Sequence, residues 1–199
     1  MPEQRTTPPD TPPPGKARSV HPDGRPDGFT PPNVYAVQLL EGGYTRLRIS
    51  CDFDRLPALH RDLVSLLTPP LKLLYVQLTD RRTGQLPKPR HHVGVDLSIR
   101  QVLDALDACA DLVYRDGRHQ LWVRGSAPGE QVVLEEIGLI YAYPDDPLTR
   151  QRCEAHGLRR DDAAPTMAER DYVMVGFEPA ADAQETKLIW SLALREWEG

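Results

Sequence analysis

The stretch YTRLRISCDF, residues 44–53, decides the fold class. Leu47, Ile49, Cys51 and Phe53 alternate with Arg46, Arg48, Ser50 and Asp52. Side chains on a strand point to opposite faces in turn, so this period of two marks a strand with one buried face and one wet face. Cys51 falls on the inner face, where a thiol behaves as a small hydrophobe. Residues 34–40 supply the other arm of a hairpin, and Glu41, Gly42 and Gly43 supply its turn, because glycine accepts positive φ.

Outward from this hairpin the period changes. Leu56, Leu59, Leu63, Leu66 and Leu67 recur at helical spacing, with Asp54 as the expected cap, Pro57 in the first turn and Pro69 and Pro70 as the stop. Residues 71–79 are apolar on both faces, as a central strand requires. SIRQVLDALDACADLV, residues 98–113, is the clearest helix: Ser98 and Gln101 form a capping box, and Ile99, Val102, Leu103, Leu106, Ala110 and Val113 form one stripe that Gly117 ends. Asp104, Asp107 and Asp111 line its other face as solvated carboxylates, since no histidine or further carboxylate is placed to complete a metal's coordination.

Residues 119–124 and 131–143 read as a second hairpin around Ser126–Glu130, with Gly138 bulging the longer arm. Asp146 and Pro147 open a helix that Gly157 closes. Residues 172–177 read as a strand with Val173, Val175 and Phe177 on one face, and residues 182–194 as a last helix carrying Leu188, Ile189 and Leu192. The expected fold is α+β, a mixed and mainly antiparallel sheet with helices packed on it. The element order falls into two ββαβα halves, 34–117 and 118–199. The first half also has the element order of a β-grasp, a topological analogy that carries no function.

Ten of the 20 prolines fall in residues 1–32, where Val20 and Phe29 are the only large apolar side chains. Such a segment buries too little to offset its ordering entropy, so residues 1–32 read as a disordered proline-rich tail, locally polyproline II at Thr11–Gly15. Its charges cancel, so the net charge of −5 belongs to residues 33–199, which form a single domain by length.

At 40% hydrophobic and 27% charged, the chain has the composition of a soluble protein, and no apolar run reaches the roughly 18–20 residues of a membrane span. The acidic balance argues against coating nucleic acid over the whole surface. Cys51, Cys109 and Cys153 lie 58 and 44 residues apart, which is neither a metal spacing nor an even disulfide set. With no secretory segment in residues 1–20, a cytosolic protein with reduced thiols is expected.

Catalytic and cofactor motifs are missing: there is no hydrolase elbow, no phosphate-cradling glycine loop and no dinucleotide fingerprint, so no cofactor is expected. Asp145 and Asp146 read as a helix cap rather than an acid pair. Arg159, Arg160, Asp161 and Asp162 form a mixed-charge loop. His91 and His92 are adjacent on a strand, point to opposite faces and cannot readily share one metal ion.

The feature that stands out is residues 80–92, DRRTGQLPKPRHH. Arg81, Arg82, Lys88 and Arg90 face one acid, Asp80, and Gly84 with two prolines makes a stiff projecting loop. Guanidinium forks suit carboxylates and phosphates, and loops on a rigid sheet commonly carry binding. Arg81, Arg82, Lys88, Arg90, His91 and His92 are therefore the expected binding residues. The expected function is non-enzymatic binding of another macromolecule, foremost an acidic protein surface, in an adaptor, immunity or chaperone-like role. Binding of phosphate or nucleic acid through the same loop is the alternative, disfavoured because the loop lacks aromatic stacking partners. An enzyme with a dispersed site is the third reading.

Overall fold

The computed structural model describes residues 15–80, 86–176 and 181–197. In chain order the elements are β1 (Ala17–Ser19), β2 (Val34–Leu39), β3 (Thr45–Ser50), α1 (Leu56–Ser65), β4 (Leu71–Gln77), β5 (Arg90–Leu97), α2 (Ile99–Ala108), α3 (Ala110–Arg115), β6 (His119–Arg124), β7 (Gln131–Leu134), β8 (Ile140–Tyr143), α4 (Pro147–Ala155), β9 (Arg159–Arg160), β10 (Tyr172–Met174), α5 (Ala181–Ser191) and β11 (Arg195–Glu196). The architecture is α+β. Nine strands form one sheet in the order β11-β5-β4-β6-β7-β8-β3-β2-β9. Every pairing in it is antiparallel except that of β2 with β9.

Alternation sets the sheet's two faces. Leu47 and Ile49 of β3, Leu71, Leu73 and Tyr75 of β4, Leu121 and Val123 of β6, and Ile140 and Ala142 of β8 point into one core. Leu56, Leu59 and Leu63 of α1, Val102 and Leu106 of α2, Leu112 and Val113 of α3, and Leu188 of α5 fill it from the other side. The helices form one layer: α1 touches α2, α3 and α4, and α5 touches α2 and α3. The opposite face carries Arg46, Arg48, Lys72, Trp122, Arg124 and Tyr143; α1–α5 leave it free, but it is covered in part, since Val133 and Tyr141 are buried and Glu169, in a short turn at Met167–Glu169, pairs with Arg48.

Local signals act much as the sequence suggests, with instructive exceptions. Ser98 and Gln101 make their capping box, and Asp146 accepts from the backbone N–H groups of Leu148 and Thr149. At α1 the capping carboxylate is Asp52 rather than Asp54: the Arg55 N–H donates to its Oδ1 at 2.9 Å. The long helix of residues 98–113 is two helices that break at buried Cys109 (φ −126°, ψ 29°). The Gln184 side chain of α5 reaches in and accepts the Leu112 N–H at 2.8 Å, satisfying a donor that the break would orphan. The longer arm of the second hairpin is two strands, β7 and β8, joined by a turn in which Gly138 takes φ +80°.

The two halves do not form separate sheets. β3 of the first half pairs with β8 of the second, and β4 pairs with β6, so the halves interleave in one sheet. β4 does not neighbour the β2–β3 hairpin, which also removes the β-grasp analogy. The strand expected over residues 172–177 is shorter: β10 spans three residues, all exposed, and pairs with β1 in a separate two-stranded ribbon. Phe177 lies outside the described residues.

The proline-rich segment needs the largest correction. Residues 1–14 lie outside the described residues, but residues 15–32 are part of the fold. β1 pairs in register with β10, from Ala17 opposite Met174 to Ser19 opposite Tyr172. Lys16, Ala17, Ser19 and Val20 are buried, and Phe29 packs on a second small core of Ala17, Ile137, Leu139 and Met167. The burial comes from a lysine stem, small residues and backbone pairing, which a count of large apolar side chains does not register.

A chain that begins at Asn33 therefore loses stability. It removes β1 and leaves the Val113 carbonyl and the Val175 N–H without the Lys16 groups that now pair with them. The expected cost is about 3 kcal/mol or more, a fall of roughly 6–12 °C in thermal midpoint by calorimetry. In α2, fully buried Leu106 truncated to alanine costs about 2–5 kcal/mol in urea unfolding. Asp107→Ala stays within about 1 kcal/mol, because its ion pair with Arg61 is largely open to water.

Candidate functional site

β5 carries the sequence-expected residues to one end of the sheet. Its alternation puts Arg90 and His92 on the helix-bearing face and His91 on the open face. Lys88 is exposed in the loop leading into β5, and Arg81 and Arg82 lie outside the described residues. The six expected residues thus do not form one described patch: His91 and His92 serve opposite sides of the sheet.

On the helix side, β4, β5 and α5 enclose a cleft of about 320 Å³ lined by Gln77, Asp80, Arg90, His92, Asp182, Glu185, Thr186 and Ile189. The α5 contributions fall at helical spacing from Asp182 to Ile189, which places them on one flank. Arg90 Nη1 stands 4.0 Å from Asp80 Oδ2. The Tyr75 hydroxyl donates to Glu185, and the Tyr75 ring packs between His92, at 6.1 Å, and His119, at 5.1 Å. Behind it Lys16 Nζ lies 3.1 Å from His119 Nε2. An ammonium there donates and the imidazole nitrogen accepts.

Burial lowers the His92 pKa from its usual 6.5, with the Arg90 and His91 charges adding to the shift, while Glu196 and Glu185 oppose it. His92 is therefore neutral at neutral pH, a hydrogen-bonding ring rather than a cation. The cleft can receive a polar side chain or small polar molecule through Arg90, Gln77, Thr186 and His92. Among the described residues no group of three or more His, Cys, Asp or Glu is arranged to hold a metal ion.

On the open side, the His91 ring meets Trp197 edge to face at 6.3 Å, and the Trp197 N–H donates to the His91 carbonyl at 2.8 Å. Trp197 is 58% exposed. Trp190 is 81% exposed on α5, one turn past the cleft residue Thr186. Sequence reasoning missed Tyr75, Glu185, Trp190 and Trp197. Tyr75 and Glu185 lie 110 residues apart and meet only through the tertiary fold. The tryptophans had a signal, two large aromatics in the last ten residues, but their exposure depends on which flank of α5 faces the core.

The charges around His92 set a direction for its titration. Followed by NMR, His92 should titrate below the ordinary histidine value. Arg90→Gln should move its midpoint up and Glu185→Gln should move it down, because the guanidinium opposes protonation and the carboxylate favours it. No movement in either variant would remove His92 from the cleft. No family model, curated protein or solved structure matches this chain.

Proposed function

We propose that the protein is a non-enzymatic, cytosolic protein-binding module of adaptor, immunity or chaperone-like type, and that its partner docks where β5, β11 and α5 meet. The observation that carries this reading is the exposure of Trp190 on α5 and Trp197 after β11, at the end of the sheet where β5 and β11 also present Arg90 and Arg195 to solvent. Tryptophan and arginine dominate the energetics of protein interfaces, and two tryptophans left in water on a small domain represent unspent burial. A partner of complementary chemistry presents an apolar recess for the indoles, rimmed by acids for the cations. Acids share this end of the chain as well: Asp80, Asp182, Glu185 and Glu196 sit around Arg90 and His92. That mixture favours a protein surface over a phosphate backbone at this site. The unbridged, buried thiols Cys51, Cys109 and Cys153 support a reducing compartment. Among the described residues no helix is long and apolar enough to cross a membrane.

The test is affinity capture from native extract with the wild-type chain and with Trp190→Ala/Trp197→Ala, each checked by circular dichroism and read by quantitative mass spectrometry. The expected result is a partner recovered by wild type and reduced at least about tenfold with the double variant, since interface tryptophans cost about 2 kcal/mol or more each. Arg90→Glu should slow association with the same partner and leave thermal stability nearly unchanged. Equal recovery by the folded double variant removes this end of the sheet as the docking site.

A further inference from the structure

The open face of the sheet bears a cost that the fold does not explain. Lys72 on β4 stands directly opposite Arg124 on β6. Their neighbours Leu71, Leu73 and Val123 point into the core, so both cations project from the face that has no helices. Both are exposed, and neither side chain has an ion pair among the described residues. Like charges directly opposite on neighbouring strands destabilise a sheet. The chain has acids to spare at a net charge of −5, but those of the flanking loops are engaged elsewhere. Glu130 accepts from the Thr68 N–H at 2.8 Å and hydroxyl at 3.0 Å, and Asp145 pairs with Arg150.

The cation pair is the start of a row. In register across the sheet, Arg124 is followed by Gln131 and then Tyr143. Arg46 completes it, part-buried, donating from Nε to Gln38 Oε1 at 2.9 Å and from Nη1 to the Tyr143 hydroxyl at 2.6 Å while its guanidinium lies 3.9 Å over the Tyr141 ring, which leaves Nη2 for an anion. Four inter-strand steps from Lys72 to Arg46 span about 19 Å. In the adjacent row Trp122 sits between Leu74 and Val133, partly buried. Its indole N–H donates to Gln120 Oε1 at 3.0 Å, which fixes the ring.

We propose that this open face binds single-stranded nucleic acid, with Lys72, Arg124 and Arg46 meeting phosphates and Trp122 and Tyr143 stacking bases. Cations interleaved with aromatics on a sheet face that α1–α5 do not cover suit unpaired bases, whose flat faces are free. A duplex hides those faces, and an acidic peptide would use the cations but not the rings between them. The overall negative charge limits contact to this one face and does not forbid it, because the local field is set by nearby side chains. The row runs from β4 to β3, while Trp197 lies on the same face beyond β5, at the β11 edge two strands from β4.

The experiment is fluorescence anisotropy of labelled oligo-dT and oligo-U strands of about 20 nucleotides, titrated with the full chain over a range of salt. Three neutralised phosphates give a log–log salt slope of about −2. Lys72→Glu/Arg124→Glu should weaken binding about tenfold or more, and Trp122→Ala should do so at constant salt slope. Lys72→Glu alone should raise the thermal midpoint, by relieving the like-charge pair, while it weakens binding. A purely structural role for Lys72 predicts no such opposition. Should Trp122→Ala fail to fold, Trp122→Phe retains a stacking face and should weaken binding by less than the charge reversal. Trp190→Ala/Trp197→Ala should bind oligonucleotide like wild type; loss of binding there overturns the proposal by moving the site. No wild-type binding up to about 100 µM in low salt, the weak end of non-specific affinity, overturns it. So does tighter binding of a duplex, or of a poly-glutamate peptide, than of the single strands.

Discussion

A buried cation fixes how this chain closes. Lys16 is fully buried, with its ammonium donating to the Val113 carbonyl at 3.0 Å, near the end of α3, and lying 3.1 Å from His119 Nε2 on β6. An ammonium taken out of water costs several kcal/mol unless such partners receive it. Its backbone is held as tightly. The Lys16 carbonyl accepts the Val175 N–H at 2.8 Å, and the Val175 carbonyl accepts the Gly117 N–H at 2.7 Å. A Cβ at position 117 would stand 2.1 Å from the Lys16 oxygen, so this corner admits only glycine. The N-terminal strand, the α3–β6 corner and the segment after β10 therefore form one unit. The same charge acts on a second buried group. Burial first, and then Lys16, pushes the His60 pKa down to about 3, so His60 is neutral in the fold. Below pH 6.5 the unfolded chain takes up a proton that folded His60 refuses, and this stability is lost progressively as pH falls toward 3.

With its helices in one layer, the sheet is left asymmetric, and the surfaces that can bind are those the helices do not cover. Each edge ends in a two-residue charged strand, Arg195–Glu196 at one side and Arg159–Arg160 at the other. Short charged edges discourage the sheet from pairing with another copy. The β11 end therefore offers side chains, Trp197 beside His91 and Trp190 on α5, more than a backbone ladder to be extended. The cleft beside it is built on β4, β5 and α5, elements anchored in the main core, so Tyr75, Glu185 and His92 are held by packing.

What was legible in the sequence is what is local. The period of two at Leu47 and Ile49, the stripe through Leu106, the Ser98–Gln101 box and the Asp146 cap each depend on residues within a few positions of one another. What was not legible depends on distant partners. β1 exists because Tyr172–Met174 lies beside it, more than 150 residues on, and it buries Lys16 and Ala17 where the sequence offers no large apolar residue. The break at Cys109 needs the Gln184 amide from α5. The alternation at Val173 and Val175 was real but named no pairing partner. At the candidate site the period of two correctly separates His91 from His92, while Tyr75, Glu185 and the tryptophans join them only through the sheet order.

The net charge of −5 conceals a segregated surface. At the β5 end Arg90 shares its surroundings with Asp80, Asp182 and Glu185, so the field there is mixed. Across the open face the acids thin out toward Lys72 and Arg124 and gather at the β7–β8 turn. There burial, then Glu136, pushes the Glu135 pKa up to about 7, while Arg46 pulls it down; Tyr141 and Tyr172 lie in the same neighbourhood. A carboxyl that is half protonated at neutral pH neutralises Arg46 only in part. Arg48, by contrast, is held by Glu169 and adds little free charge. The cations of Lys72, Arg124 and Arg46 therefore stay largely uncompensated along one row, in a protein whose acids outnumber its bases. Folding alone would favour an acid at one of these positions, since a cross-strand ion pair stabilises where a like pair repels. Holding both cations there costs a little stability and leaves a positively charged stripe on the part of the sheet that α1–α5 do not cover.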